Sequence, residues 1–263
     1  MANYKDLEKK IILVSGASGL LGSDFVKNFL LQKSIVIAID KNLSKSLKEF
    51  QHKNLFFVKC DITRPNDVNN LVRKIFKKYK KIDVLINSAA SKSKNLKDFF
   101  EKFETFKYKK WKEIMSVNID GSYLLSQAVS KVMIKSKSGS IINIASIQGI
   151  LGNDDRIYKG SKFKGVQMNS PAVYSTSKAA LIGLSRYLAT YLGKFNIRVN
   201  SISPGGIRSS QNLRFLKNYS SKVPMKRMGE QKEITSTVLY LASSESSYIT
   251  GQNIVVDGGY SIW

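Results

Sequence analysis

Short apolar runs alternate with helical patterns along almost the whole chain, and this alternation limits the possible folds most. Residues 10–15, Lys-Ile-Ile-Leu-Val-Ser, have the β-branched, uniformly apolar composition of a strand buried in a parallel sheet. The predicted strands cover residues 10–15, 34–39, 56–59, 82–86, 140–145, 197–202 and 253–256. No repeat or linker interrupts the pattern. It predicts one doubly wound α/β domain over residues 1–263, with a parallel seven-stranded sheet and helices on both faces.

A glycine-rich turn follows the first predicted strand. Residues 16–22 read Gly-Ala-Ser-Gly-Leu-Leu-Gly and lead into a helical pattern that begins near Phe25. Glycines let a backbone approach a pyrophosphate closely, and a helix N-terminus offers free N–H groups and partial positive charge. The turn therefore predicts a dinucleotide site. The alternative, a tight strand-to-helix turn with nothing bound, fits this context less well.

Acidic residues follow the second and third predicted strands. Asp40 lies eighteen residues after Gly22, where a carboxylate would accept hydrogen bonds from an adenosine ribose. Because its charge would repel a 2′-phosphate, it favours NAD over NADP, although Lys41 could partly offset this repulsion. Asp61 could contact the adenine edge or cap the helix that is predicted to begin at Pro65.

Tyr174 and Lys178 are four residues apart in a helical pattern, so they share one face about a turn apart. A phenol is a weak acid at neutral pH, and a nearby ammonium favours its ionised form. The pair is therefore predicted to be a tuned proton donor or acceptor whose phenol pKa the lysine lowers. Alone, so short a pattern is equally consistent with a surface tyrosine and a solvated lysine.

Composition narrows the class of protein. Cys60 is the single cysteine, which excludes an internal disulfide and fits a reducing compartment. The polar N-terminus and the lack of a long apolar run predict a cytoplasmic protein without a membrane span.

The formal charge of +24 comes mainly from scattered lysines. It predicts no nucleic-acid partner, although it would attract anionic substrates. One histidine, His52, and one cysteine make a metal site implausible.

These ordered motifs, which span Gly16 to Gly259, resemble the short-chain dehydrogenase/reductase family, whose members have a Rossmann fold. The resemblance implies four catalytic residues. Tyr174 would be the general acid or base, and Lys178 would lower its pKa and hold the nicotinamide ribose. Ser146 would hydrogen-bond the substrate oxygen, and Asn118 would anchor a water that links Lys178 to solvent. These roles suit hydride transfer, which develops negative charge on a carbonyl oxygen.

The family pattern also implies the residues that bind the cofactor. In addition to Tyr174 and Lys178, they are Gly16, Ser18, Gly22, Asp40, Asp61, Ile62, Asn87, Ala89, Ile207 and Ser209. Two local sequences depart from the pattern. The glycine turn resembles that of the extended branch of the family, and Asn-Ser-Ala-Ala at residues 87–90 replaces the usual Asn-Asn-Ala-Gly.

The largest departure lies between Ser146 and Tyr174. Twenty-eight residues separate them, about twice the usual family spacing. The extra segment, residues 152–171, leaves the substrate edge of the sheet and is expected to line or cover the substrate pocket. The alternative is a tolerated surface insertion. Arg156 or the insertion lysines Lys159, Lys162 and Lys164 could hold substrate phosphates.

The insertion and the runs 191–200, 204–207 and 227–229 are similar to those of oxidoreductases from bacterial surface-sugar pathways, including flagellin-modification enzymes. The resemblance implies an NAD(H)-dependent enzyme that interconverts a secondary alcohol and a ketone on a small molecule, a sugar or nucleotide-sugar. A 3-oxoacyl-(acyl-carrier-protein) reductase is the alternative enzyme, and a non-catalytic dinucleotide sensor is the alternative of another class. The family's usual assembly implies a homodimer or homotetramer, formed through the helices that carry Asn118 and Tyr174 and through the C-terminal strand.

Overall fold

The computed structural model describes residues 3–42, 44, 47, 49–91 and 95–263. Within these ranges, seven strands belong to one sheet, namely β1 (Ile11–Ser15), β2 (Ile35–Asp40), β3 (Leu55–Lys59), β4 (Val84–Asn87), β5 (Gly139–Ile144), β8 (Ile197–Pro204) and β9 (Asn253–Val256). The sheet is parallel, and its strands lie in the order β3-β2-β1-β4-β5-β8-β9. The predicted α/β fold is confirmed. The strand order reverses between β1 and β4, and in such sheets a ligand crevice opens beyond the carboxyl ends of the strands at this point.

Helices cover both faces of the sheet. They are α1 (Leu20–Leu31), α2 (Pro65–Tyr79), α3 (Leu96–Phe99), α4 (Tyr108–Met115), α5 (Gly121–Ser136), α6 (Ala172–Gly193), α7 (Leu213–Ser221) and α8 (Gln231–Ala242). Helix α1 packs against α8, whereas α2 and α6 both pack against α5. Strand β1 explains the two layers, because Leu13 joins the core beneath α2 and α5 and Val14 joins the core beneath α1 and α8.

The sequence predicts one long helix from about Trp111 to Lys135, and in the structure this helix is interrupted. A π-helical turn, Ser116–Asp120, separates α4 from α5, and it places Asn118 in the interior with no exposed surface. The extra residue in a π turn changes which side chains face inward. Apolar spacing does not reveal this change, since the residues around the turn still follow a helical pattern.

The chain between β4 and α4 also differs from expectation. Residues 91–112 are rich in lysine and phenylalanine, and this composition predicts a loop followed by an amphipathic helix that packs Phe99, Phe103 and Phe106. Instead α3 ends at Phe99, and the chain continues through the 3₁₀ turn Phe103–Thr105. Phe99 is buried, but Phe103 is 78% exposed, so the prediction for Phe103 is wrong. Residues 92–94 of the predicted segment lie outside the described ranges.

The insertion has secondary structure that its sequence did not predict. A 3₁₀ turn, Asp155–Tyr158, precedes an antiparallel hairpin of β6 (Lys162–Phe163) and β7 (Val166–Gln167). Lys164 and Gly165 connect the two strands with φ of 49° and 79°. Positive φ at both central residues is typical of the tight turns that match the twist of a hairpin.

None of the helices in the described ranges combines the length and the apolar character that crossing a membrane requires.

Candidate active site

Three of the four predicted catalytic residues meet at the carboxyl end of β5. Ser146 follows this strand, and its hydroxyl accepts a hydrogen bond from the backbone N–H of Gln148 at 3.2 Å. The hydroxyl of Tyr174, in the first turn of α6, is hydrogen-bonded to the side chain of Ser146. Lys178 follows one turn later on α6. Its Nζ donates to the carbonyl of Ile144 at 2.7 Å and lies 5.7 Å from the centre of the Tyr174 ring.

The pKa of Tyr174 differs from the sequence-based expectation. Burial raises this pKa above its ordinary value, and the hydrogen bond with Ser146 opposes the rise without reversing it. The expectation that Lys178 holds the pKa below its usual range is therefore wrong for the polypeptide alone. The phenol is neutral at physiological pH and is ready to donate its proton.

Asn118 joins three parts of the site without facing the cavity. Its Oδ1 accepts from the backbone N–H of Ser91 at 2.8 Å, and its Nδ2 donates to the hydroxyl of Ser177 at 3.0 Å. Its backbone carbonyl accepts from Ser122 at 3.2 Å. Because Ser177 immediately precedes Lys178, these bonds fix α6 against the segment that follows β4. The predicted water at Asn118 stays a prediction.

A cavity of about 910 Å³ connects this cluster to the glycine turn. It extends from Asp40 and Ile62, past the start of α1, to Tyr174 and Lys178. Most of the predicted cofactor contacts line it, namely Gly16, Gly22, Asp40, Ile62, Ala89, Tyr174, Lys178, Ile207 and Ser209. Its volume is within the range of small-molecule and cofactor sites.

The glycine turn is too tight for larger residues at its two ends. Gly16 has φ of 65°, and a Cβ there would lie 2.5 Å from the Cα of Ala89. A Cβ at Gly22 would lie 2.1 Å from the carbonyl oxygen of Gly16. This close packing brings the start of α1, whose first N–H groups have no partner within the helix, to the cavity wall.

Asp40 is fixed at the other end of this wall. One carboxylate oxygen accepts from the backbone N–H of Ser18 at 3.0 Å, and the other accepts from that of Asn42 at 3.3 Å. Each oxygen keeps a further lone pair for a ligand hydroxyl. The glycine turn and the carboxylate together fit a dinucleotide with an unmodified ribose.

Three other residues that were predicted to contact the cofactor bond to other protein groups instead, and none of the three lines the cavity. The Ser18 hydroxyl donates to the carbonyl of Asn42. Asn87 donates to Ser126 and Asn143 in the interior. A cofactor contact at these positions stays a prediction.

Asp61, the third of them, forms an ion pair with Lys41 at 2.9 Å. Burial alone would raise the pKa of this carboxyl, but hydrogen bonds from Lys41 and Thr63 outweigh it and hold the pKa below its ordinary value. Lys41, which was expected to offset the repulsion between Asp40 and a 2′-phosphate, is thus paired with Asp61 instead.

Residues of the insertion form part of the cavity wall, and a substrate contact there stays a prediction. Tyr158 and Met168 from the insertion face Phe215 from α7, a helix that the sequence analysis missed. Phe215 and Tyr219 are four residues apart and both buried, and this spacing could have indicated the helix.

The cations proposed to hold a substrate phosphate lie elsewhere. Arg156 pairs with Asp154 at 2.7 Å. Neither Arg156 nor Lys159, Lys162 or Lys164 lines the cavity. Among the described lining residues the basic side chains are Lys41 and Lys178, and both belong to the cofactor part of the site.

Comparison with known proteins gives the same family. A family profile described as "Enoyl-(Acyl carrier protein) reductase" matches residues 32–261. A 3-oxoacyl-(acyl-carrier-protein) reductase of Buchnera aphidicola subsp. Schizaphis graminum is 34% identical over 96% of this chain and 98% of its own. Post-translational flagellin modification protein A of Campylobacter coli is 33% identical over 97% of this chain and 100% of its own.

A solved structure agrees with both sequence relatives. The short-chain dehydrogenase of Leptospira borgpetersenii serovar Hardjo-bovis, solved with bound NAD+, superposes with a TM-score of 0.87. It is 34% identical and covers 97% of this chain and 94% of its own. Together with the Ser146–Tyr174–Lys178 cluster, these matches show that the chain is an oxidoreductase of the short-chain dehydrogenase/reductase family.

Proposed function

We propose that this protein is an NAD(H)-dependent oxidoreductase that interconverts a secondary alcohol and a ketone by hydride transfer. The observation that carries the proposal is the Tyr174–Ser146 hydrogen bond beside Lys178, at the end of a cavity that begins at Asp40. In reduction, Tyr174 donates its proton to the substrate oxygen that Ser146 hydrogen-bonds. In oxidation, the same phenol oxygen receives the proton of the alcohol. Lys178 holds the nicotinamide ribose, and the bound nicotinamide supplies or accepts the hydride.

Two observations support NAD as the cofactor. The Asp40 carboxylate would repel the 2′-phosphate of NADP, and the adjacent Lys41 is paired with Asp61. The similar Leptospira dehydrogenase was solved with NAD+. We therefore expect NADP to bind more weakly.

A sugar or nucleotide-sugar is the proposed substrate, in surface-polysaccharide or flagellin-glycan biosynthesis. The full-length similarity to the Campylobacter coli flagellin modification protein supports it. The substrate side also combines aromatic rings with amides, such as Tyr158 and Phe215 with Gln148 and Asn169. Rings and a few polar groups suit a molecule with apolar faces and hydroxyl edges. The scarcity of cations there favours a neutral group at the reacting end.

Reduction of a 3-oxoacyl group on an acyl carrier protein is the second candidate. The Buchnera relative supports it, and so do the apolar residues Ile157, Phe163 and Met168 in the cavity wall. The formal charge of +24 would attract an acidic carrier. The Asp40 carboxylate opposes this reading, because such reductases usually take NADPH.

The test is an oxidoreductase assay with both cofactors and both substrate classes. We expect turnover of a keto-sugar nucleotide or keto-sugar with NADH, and less with NADPH. Turnover of an acetoacetyl thioester with NADPH, and of no sugar, would favour the second candidate. Tight NADH binding without turnover of any carbonyl would indicate a dinucleotide sensor instead.

The assembly, domain organisation and location form part of the same proposal. Residues 1–263 are one domain that carries the 152–171 insertion, and a sheet that extends from Ile11 to Val256 supports this. The protein works as a homodimer or homotetramer, and the exposed rings of Tyr123, Tyr187 and Tyr191 on α5 and α6 support an interface there. A cytoplasmic location fits the single cysteine, Cys60.

A further inference from the structure

The insertion brings a second pair of hydroxyl groups, Tyr158 and Ser170, to the cavity. Both residues line the same cavity as Ser146 and Tyr174, and their side chains are hydrogen-bonded to each other. Burial above all raises the pKa of Tyr158, and the nearby Tyr174 raises it further. The Tyr158 phenol is therefore a neutral hydrogen-bond donor close to Tyr174. The proposed reaction uses only the Ser146–Tyr174 pair.

The backbone and the neighbouring rings hold the second pair in place. The Tyr158 ring stacks on Phe215, with ring centres 5.8 Å apart. Its backbone carbonyl accepts from the side chain of Gln167 at 3.0 Å and from the N–H of Ser161 at 2.9 Å. Both sides of this tyrosine are thus restrained, and its hydroxyl has a defined position.

Ser170 is tied to the catalytic tyrosine through a short stretch of chain. It precedes Pro171, the N-cap residue of α6, and the N–H of Tyr174 donates to the carbonyl of Pro171 at 2.9 Å. Proline fixes its own φ and restricts the residue before it. Ser170 and Tyr174 are four residues apart across the start of α6, and both line the cavity. Tyr158 lies close enough to Tyr174 for their charges to interact. A small substrate that bonds the first pair would therefore meet the second pair with its neighbouring atoms.

The surroundings of the second pair favour a substrate that carries a second oxygen. Ile157, Phe163 and Met168 from the same insertion line the cavity beside it. Two hydroxyls that bond each other use only one of their two donor hydrogens. A simple ketone would cover the pair and leave a buried donor without a partner, which weakens binding. A substrate with a second oxygen at this point would satisfy it.

We propose that Tyr158 and Ser170 bind a second substrate oxygen, on the carbon next to the reacting one, so that the enzyme prefers vicinal diols and α-hydroxy ketones to substrates with one oxygen. This inference rests on the proposed function, in which Ser146 and Tyr174 hold the reacting oxygen. It makes Tyr158 and Ser170 specificity-determining residues that the insertion adds to the family site.

Acetoin and 2-butanone test it, because they differ only by a hydroxyl on the adjacent carbon. With NADH, we expect the wild-type kcat/KM to be at least about fivefold higher for acetoin, because its hydroxyl pairs with a donor that 2-butanone leaves unpaired. Tyr158→Phe and Ser170→Ala should each lower the value for acetoin by about tenfold and leave the value for 2-butanone nearly unchanged. Tyr248→Phe, at a fully exposed position away from the cavity, is the matched control and should change neither.

Several results overturn the inference. One is a wild-type enzyme that binds NADH and reduces 2-butanone as well as acetoin, or reduces neither. Another is an equal loss for both ketones in Tyr158→Phe, which a merely structural role would produce. If Tyr158→Phe fails to fold, the change in the acetoin-to-2-butanone ratio in Ser170→Ala decides the question, because the intrinsic reactivities of the two ketones cancel in that change. Failure of the proposed function has a different signature, namely no NADH binding or full activity in Tyr174→Phe.

Discussion

Burial and the neighbouring Ser146 hydroxyl shift the pKa of Tyr174 in opposite directions. Burial disfavours the phenolate, the hydrogen bond with Ser146 favours it, and the net effect raises the pKa. The protein alone therefore presents a neutral phenol, which can donate a proton to a ketone oxygen without first gaining one. Oxidation of an alcohol requires the opposite state, in which the phenol oxygen has lost its proton.

The raised pKa of Tyr174 predicts different pH profiles for ketone reduction and for alcohol oxidation. For ketone reduction we expect kcat/KM to stay flat from about pH 6 to 9, because Tyr174 keeps its proton below its raised pKa. For alcohol oxidation we expect the rate to rise with pH over the same range. Initial rates in both directions, with buffers of constant ionic strength, measure this. A reduction rate that falls between pH 6 and 8 would contradict the assignment of Tyr174 as the donor.

Asp40 is predicted to decide between the two cofactors. Asp40→Asn keeps an acceptor for the N–H of Ser18 but removes the charge that opposes a 2′-phosphate. We expect the ratio of kcat/KM for NADP(H) to that for NAD(H) to rise about tenfold or more, which corresponds to ~1.4 kcal/mol. Asp67→Asn, on α2 away from the cavity, is the control. An unchanged ratio in Asp40→Asn would show that this carboxylate does not face the ribose.

Sequence spacing was sufficient for some residues and insufficient for others. The Tyr174–Lys178 pair follows from local helical geometry, whereas Ser146 and Asn118 came from the resemblance to the short-chain dehydrogenase/reductase family. The direction of the Tyr174 pKa does not follow from spacing, because Tyr174 packs against a buried cluster that includes Phe99 and Ile114, which are remote in sequence. Asp61 illustrates the same limit, since its partner Lys41 comes from a different strand end.

At the scale of elements, the turn between β1 and α1 depends on the absence of a side chain at Gly22. Gly22→Ala would place a Cβ 2.1 Å from the carbonyl of Gly16, so the backbone must move. We expect a loss of about 1–3 kcal/mol in the free energy of unfolding and weaker NADH binding, measured by chemical denaturation and fluorescence titration.

Gly183→Ala is the matched control for this change. Gly183 lies in α6, and a Cβ there would meet nothing within 4 Å. Alanine in a helix interior should stabilise the protein by roughly 0.5–1 kcal/mol. The account of the glycine turn fails if Gly22→Ala behaves like Gly183→Ala in both measurements.

Elements with a strong period were predictable, and elements defined by tertiary contacts were not. The strands of the sheet and α2 follow from apolar runs and periodicity. The π turn at Asn118 depends on hydrogen bonds to Ser91 and Ser177, which are remote in sequence. The β6–β7 hairpin is only two residues long on each side, too short for an alternating pattern.

For the whole molecule, the doubly wound parallel sheet followed from the alternation of strands with helices, but the assembly did not follow from it. Tyr187 and Tyr191 stack 6.2 Å apart on α6 and are 65% and 53% exposed. Exposed aromatic rings of this kind are enriched at protein interfaces. From the sequence alone, apolar residues of these helices could serve either the core or an interface.

The assembly leads to a prediction at this scale. Wild-type protein should have the mass of a dimer or tetramer by light scattering, and Tyr187→Asp with Tyr191→Asp should reduce it, because buried charges oppose association. Tyr248→Asp, at a fully exposed position elsewhere, should leave the mass unchanged. A monomeric wild-type protein would contradict the proposed homo-oligomer.

The account as a whole depends on proton transfer by Tyr174 beside a bound nicotinamide, and Tyr174→Phe tests it most directly. The change removes one oxygen and keeps the ring that packs in the site. We expect kcat to fall by about 10²–10⁴-fold, while the dissociation constant for NADH, measured by fluorescence titration, stays within about twofold because the cofactor cavity is otherwise intact. A variant that binds NADH and retains wild-type turnover would contradict the central claim.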